Sequence, residues 1–172
     1  MIHLYTGDGK GKTTAAMGLA ARAAGYEGNR VLIVQFMKCG TEGEAKTLAA
    51  VPNIEYIKNS YKHGFVFQMT DEEKAKLTQE HNKHLAYARE QAKAGNVFLI
   101  VLDELVSAYG ENVIDRAAAD ALLDDHGGAE LAITGRSPWP NLVEKADYIT
   151  EMKCVRHPYE TKKVPARQGV EY

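Results

Sequence analysis

Cysteine is scarce in this chain of 172 residues: Cys39 and Cys154 are the only two, with no CxxC partner and no histidine at metal-ligand spacing. That excludes a disulfide framework and argues against a thiolate zinc site, so two free thiols in a reducing compartment are expected. Long apolar runs are missing too. The longest, residues 97–102, has six residues, against the ~20 that cross a bilayer, and reads as a strand. Residues 2–5 follow no basic segment and open no long apolar one, so no secretion signal is visible, and a cytoplasmic location is expected. Charge of one sign is not in excess either: 21 Lys and Arg face 23 Asp and Glu, a net −2. Such a balance supplies no global attraction to nucleic acid. Proline- or serine-rich linkers and internal repeats are absent, so one domain over residues 1–172 is expected, large enough to bury roughly 70% of its unfolded surface.

What is present is an alternation of short β-branched or aromatic runs with longer helical stretches, the pattern of βα units around a mainly parallel sheet. Strands are predicted at residues 2–6, 31–36, 54–58, 97–103, 130–134 and 148–152, and helices at 12–24, 44–50, 71–94, 115–125 and 139–146. Thr70 followed by Glu73 reads as a capping box, while Gly25, Gly95 and Gly127 suit left-handed positions just past helix ends. His81 and His84 stand among charges on the third predicted helix and read as a solvated face. From His157 onward the chain is polar and reads as loop, and the segment 154–172 is expected to close a site.

The first strand runs into Gly7-Asp8-Gly9-Lys10-Gly11-Lys12-Thr13-Thr14 and then an alanine-rich helix. Strand, glycine-rich loop and helix in that order are what a phosphate-binding loop requires. Its glycines let successive amides face one anion, the helix adds its positive end, Lys12 adds a charge, and the Thr13 hydroxyl suits Mg²⁺. The loop departs from GxxxxGK[ST] in its first position, where Thr6 replaces glycine. Further on, the apolar run 97–102 ends in Asp103-Glu104. This resembles the arrangement in which an aspartate holds Mg²⁺; the plainer reading makes Asp103 a helix cap. Glu104 either activates water or stands in the outer shell of the metal. These features specify an ATP-binding α/β protein of the P-loop class, with helices on both sheet faces, and leave kinase, ATPase, transferase and non-catalytic ATP sensor open.

Three further segments narrow the choice: Gln35-Phe36-Met37-Lys38, Thr134-Gly135-Arg136-Ser137-Pro138, and the stretch from Glu151-Met152 through Arg156-His157-Pro158-Tyr159 to Ala166-Arg167-Gln168-Gly169-Val170-Glu171-Tyr172. With the loop variant and the LDEL segment at residues 102–105, they resemble the ATP:corrinoid adenosyltransferases of the CobA type over essentially the whole chain. The resemblance implies a RecA-like sheet of strand order 3-2-4-5-1-6. It also implies a reaction in which Co(I) of a corrinoid attacks C5′ of ATP and expels triphosphate, yielding adenosylcobalamin or an adenosylated precursor. In its terms Gly7, Asp8, Gly9, Lys10, Gly11, Lys12, Thr13 and Thr14 hold the nucleotide, and Thr13, Asp103 and Glu104 attend Mg²⁺ or Mn²⁺. Arg136 follows a strand at the sheet edge where P-loop sites gather, and either a phosphate or tail contact or a surface ion pair is expected of it. Because C5′ rather than the γ-phosphate must face the second substrate, the nucleotide is expected to lie along the loop with reversed polarity.

Gly64-Phe65-Val66-Phe67 matches the segment whose aromatic pair, here Phe65 and Phe67, pushes the lower axial ligand off cobalt and eases reduction of Co(II). Without the resemblance, the same four residues read as core packing on a short strand. The resemblance further implies an external reductant, a reduced flavin or flavodoxin, and a homodimer. Many relatives carry an N-terminal extension over the neighbouring subunit's site, whereas this sequence opens on its first strand, so closure is expected to be weaker or supplied differently.

Overall fold

Six short aliphatic runs lie side by side in one sheet in the computed structural model, which describes residues 1–38, 43–60 and 64–170. They are β1 (Ile2–Thr6), β2 (Val31–Gln35), β3 (Ile54–Lys58), β4 (Leu99–Asp103), β5 (Glu130–Thr134) and β6 (Tyr148–Glu151). Every pairing is parallel and the order is 3-2-4-5-1-6, as the resemblance implied. All five residues of β2 and of β4 are buried. That is why these strands read as unbroken apolar runs: in a parallel sheet both faces are covered.

Successive side chains leave opposite faces of a strand, and here they enter two separate cores. Leu32, Val34, Ile100 and Leu102 join one cluster, Val31, Ile33, Leu99 and Val101 the other. The second cluster is roofed by α1 (Lys12–Ala24) and α2 (Gly43–Leu48), through Ala16, Met17, Ala20, Ala23 and Leu48. Alanine at these spacings lets α1 approach the sheet closely. The first cluster is covered by α3 (Asp71–Lys93), α4 (Leu105–Gly110), α5 (Arg116–Asp124) and α6 (Pro140–Lys145).

The capping box at Thr70 and Glu73 forms in full at the start of α3. Gly95 and Gly127 adopt left-handed φ of 65° and 60°. Gly25 does not: its φ of −71° is right-handed, and its N–H donates to carbonyls of the last helical turn. Helix α4 was not foreseen, because six residues containing Ser, Tyr and Gly carry little periodic signal. The tail, read as loop, contains the short helix α7 (Pro158–Lys162), capped by the His157 side chain. Residues 64–67 form no strand; Val66–Gln68 is a turn of 3-10 helix.

The histidine reading needs correction. The buried positions of α3 are Leu77, His81, Leu85, Ala88 and Ala92, spaced 4, 4, 3 and 4. His81 therefore belongs to the inward stripe and is fully buried, with Phe36 edge-on at 5.3 Å and Nδ1 2.9 Å from the Val113 carbonyl. His84 is half-buried, and burial holds its pKa below the usual 6.5. Adjacency in sequence to charged residues misled here, because the burial of each position is set by the face of the helix on which it falls.

Candidate active site

In a parallel sheet, loops at the carboxyl ends of the strands form the ligand crevice, and four such ends meet here. β1 delivers the phosphate loop, β2 delivers Lys38, β4 delivers Asp103 and Glu104, and β5 delivers Gly135 and Arg136. They border a cavity of about 1260 Å³, whose wall includes Lys12, Thr13, Lys38, Glu104 and Arg136.

The loop is tightly seated. Gly9 N–H donates to the Met152 carbonyl just past β6, and a Cβ on Gly9 would stand 2.5 Å from that oxygen. Only glycine tolerates the contact. Gly11 precedes α1 at φ 114° with no side-chain cap, so the first amides of the helix are open to an anion. Lys12 Nζ donates to the loop's own carbonyls, Gly7 O at 2.7 Å and Gly9 O at 2.9 Å. Burial, and then the nearby Arg136 guanidinium, hold the Lys12 pKa below its ordinary value. An ammonium crowded by another cation and short of water is one that an entering polyanion would stabilise strongly.

Thr6, the departure from the usual pattern, proves to have its own task. Its hydroxyl donates to the Arg136 carbonyl at 2.8 Å and ties β1 to the segment after β5. That segment turns at Gly135, φ 149°, where an added Cβ would collide with the Val106 side chain. The Thr-Gly-Arg run thus has a steric reason for its glycine.

Asp103 is fully buried and is no helix cap. Thr13 and Thr134 hydroxyls both donate to its Oδ1 at 2.8 Å; Gln35 Nε2 at 3.2 Å and Lys38 Nζ at 3.3 Å address Oδ2. Glu104 is the N-cap of α4 at a left-handed φ of 61°, a conformation that costs a non-glycine residue on the order of 1 kcal/mol and gathers at functional sites. Its N–H donates to Thr134 Oγ1 and its carboxylate accepts from Ser107. Thr13 and Asp103 are therefore brought together, while the Glu104 carboxylate is engaged within its own helix. Among the described residues no three His, Cys, Asp or Glu side chains converge as a metal cluster.

The comparison with known families now decides what such a site belongs to. The model of the family described as ATP:corrinoid adenosyltransferase BtuR/CobO/CobP matches residues 1–172. The chain belongs to this adenosyltransferase family. It is 32% identical over 182 residues to a corrinoid adenosyltransferase of Pseudomonas aeruginosa, with 100% of this chain and 83% of that protein covered. It is 31% identical over 182 residues to the corrinoid adenosyltransferase CobA of Salmonella typhimurium, covering 100% and 85%. The corrinoid adenosyltransferase of Escherichia coli K12 is 28% identical over 173 residues, again covering 100% and 85%. Membership makes the chain an enzyme acting on ATP and a corrinoid; an ordinary ATPase, a kinase or a silent sensor is not favoured.

Against that family background the remaining residues fall in two groups. Cys154, His157, Tyr159 and Val170 of the tail line the cavity together with the loop. Phe65 and Phe67 do not line it. They stack on each other with ring centroids 5.5 Å apart and stay 71% and 76% exposed, with only Val66 between them buried. Core packing is excluded for both rings. Cys39, Glu171 and Tyr172 lie outside the described residues; Cys154 is a free, exposed thiol. Sequence reasoning gave no individual role to Lys38 or Met152, which entered only within segments that carry the family resemblance, and it took His81 for a solvated position.

Proposed function

We propose that this adenosyltransferase binds ATP with its triphosphate along Gly7–Thr14 and its C5′ turned to the corrinoid, on the cavity side lined by the tail. The observation that carries this reading is the cavity itself. At about 1260 Å³ it exceeds the roughly 300–1,000 Å³ of single-ligand pockets, and its lining combines the phosphate loop with residues of the tail. The electron pair of Co(I) would form the Co–C5′ bond while the C5′–O bond breaks, its pair leaving on triphosphate. Such a nucleophile needs no activating base. The protein's part is to stabilise the leaving group, through Lys12, Lys10, Arg136 and the open amides of α1.

Thr13 Oγ1 and the Asp103 carboxylate are hard oxygen donors side by side, a set that fits Mg²⁺ or Mn²⁺ when waters and substrate oxygens complete the shell. A cation bound there would neutralise charge on the departing triphosphate. Glu104 serves best in its outer shell, since a water-activating base has no place in this reaction. Phe65 and Phe67 offer the exposed apolar surface on which a corrinoid face and its lower ligand would be received. The tail, residues 154–172, closes the site.

Reduced flavin or flavodoxin supplies the electron, the working form is a homodimer, and the compartment is cytoplasmic. No helix among the described residues is long and apolar enough to cross a membrane.

The test is an anaerobic assay with MgATP and chemically reduced cob(I)alamin, followed by the corrinoid spectrum and by identification of the phosphate product. Adenosylcobalamin with stoichiometric triphosphate supports the reading. ADP, or no turnover, rejects it.

A further inference from the structure

Lys38 stands at a specific position beside the buried Asp103. β2 ends in Met37 at a left-handed φ of 58°, whose N–H lies 3.4 Å from His81 Nε2. Just after this turn, Lys38 reaches the first turn of α1 and the end of β4. There its Nζ stands 3.4 Å from Thr13 Oγ1 and 3.3 Å from Asp103 Oδ2, with the side chain only 27% exposed. These are the two oxygen-bearing groups assigned above to the divalent cation. The Thr13 hydroxyl donates to Asp103 and presents its lone pairs to the ammonium.

We infer that Lys38 is a resident ammonium that holds the cation position of this site and makes divalent-cation binding conditional on the triphosphate. The inference rests on the assignment of Thr13 and Asp103 to the metal. A fully buried carboxylate without a positive partner is costly, and Lys38 supplies that partner. A divalent ion arriving alone meets a like charge within a few ångströms. A divalent ion arriving with triphosphate meets no such penalty, because Lys38 lines the same cavity as the loop and its displaced ammonium pairs with phosphate oxygens. Metal and triphosphate therefore bind with positive coupling, which must be reciprocal. In the reaction, the displaced Lys38 adds a further charge beside the leaving group.

The experiment is a Mn²⁺ titration followed by electron paramagnetic resonance, with and without inorganic triphosphate and corrected for the complex formed in solution. Wild type, K38M, K38Q and D103N are compared, and each is checked for folding by thermal unfolding. Expected for K38M, and for K38Q should K38M not fold, is tighter binding of Mn²⁺ alone, by about tenfold for removal of one partly screened like charge. Triphosphate binding weakens and the coupling between the two shrinks. Mn²⁺ binding to the lysine variants no tighter than to wild type, with coupling intact, overturns the inference and leaves the metal assignment standing. Mn²⁺–triphosphate binding unaffected by D103N overturns the metal assignment, and the inference with it.

Discussion

The phosphate end of the site and the aromatic pair are built on opposite plans. Around Asp103, four donors from β2, the loop after it, α1 and β5 converge on one buried carboxylate, and the loop is latched by the Met152 carbonyl. Phe65 and Phe67 touch mainly each other and water. The difference teaches where preorganisation is useful. Charge developing on a leaving group is stabilised best by donors that need not move, whereas a large planar substrate is received by apolar surface that it covers on arrival.

The comparison can be broken most decisively at Lys12. Lys12→Ala should lower turnover by about 10²–10³-fold, the usual loss when one preorganised charge donor is removed, while the urea unfolding midpoint stays near wild type. Loss of the fold would show that the loop is structural rather than preorganised for substrate.

Gly135→Ala probes the steric fit behind the Thr-Gly-Arg segment. Its Cβ meets Val106 and its φ is disfavoured, so chemical denaturation should report a loss of about 1–3 kcal/mol. A neutral result would mean that the segment relaxes freely.

Phe65→Ala tests the open side. A ring left mostly exposed contributes little to stability, but its cover by substrate is worth about 1–2 kcal/mol. Reaction from Co(II) should therefore slow about tenfold and more than reaction from prereduced Co(I), with unfolding unchanged. Equal losses from both cobalt states would remove the ligand-displacement role.

The smallest effect concerns α3. Burial lowers the His84 pKa, so between that lowered value and 6.5 the unfolded chain binds more protons than the folded one. Stability is fully present above 6.5 and declines as pH falls through this window. His84→Gln should flatten that part of the profile of unfolding midpoint against pH; an unchanged profile would assign the acid sensitivity to another group.

The alternation of runs was enough to read six parallel strands and the longer helices flanking them, because strands buried on both faces leave unbroken apolar runs and amphipathic helices leave periodic ones; the short α4 and α7 were not legible. The phosphate loop was equally legible, since its glycines and Lys12 are consecutive. Their chemistry depends on backbone geometry that local sequence dictates. What depended on non-local contact was not legible. His81 reads as polar among charges and is core, because burial is decided by the face of α3 that meets β2. Thr6 reads as a departure and is a tie, because its partner is 130 residues away. Lys38 is legible as part of a segment that carries the family resemblance, but not as a group with a role of its own. Only the parallel register that sets β2 beside β4, Gln35 opposite Asp103, brings its ammonium to a buried carboxylate, and no local pattern encodes an attraction between groups so far apart in the chain.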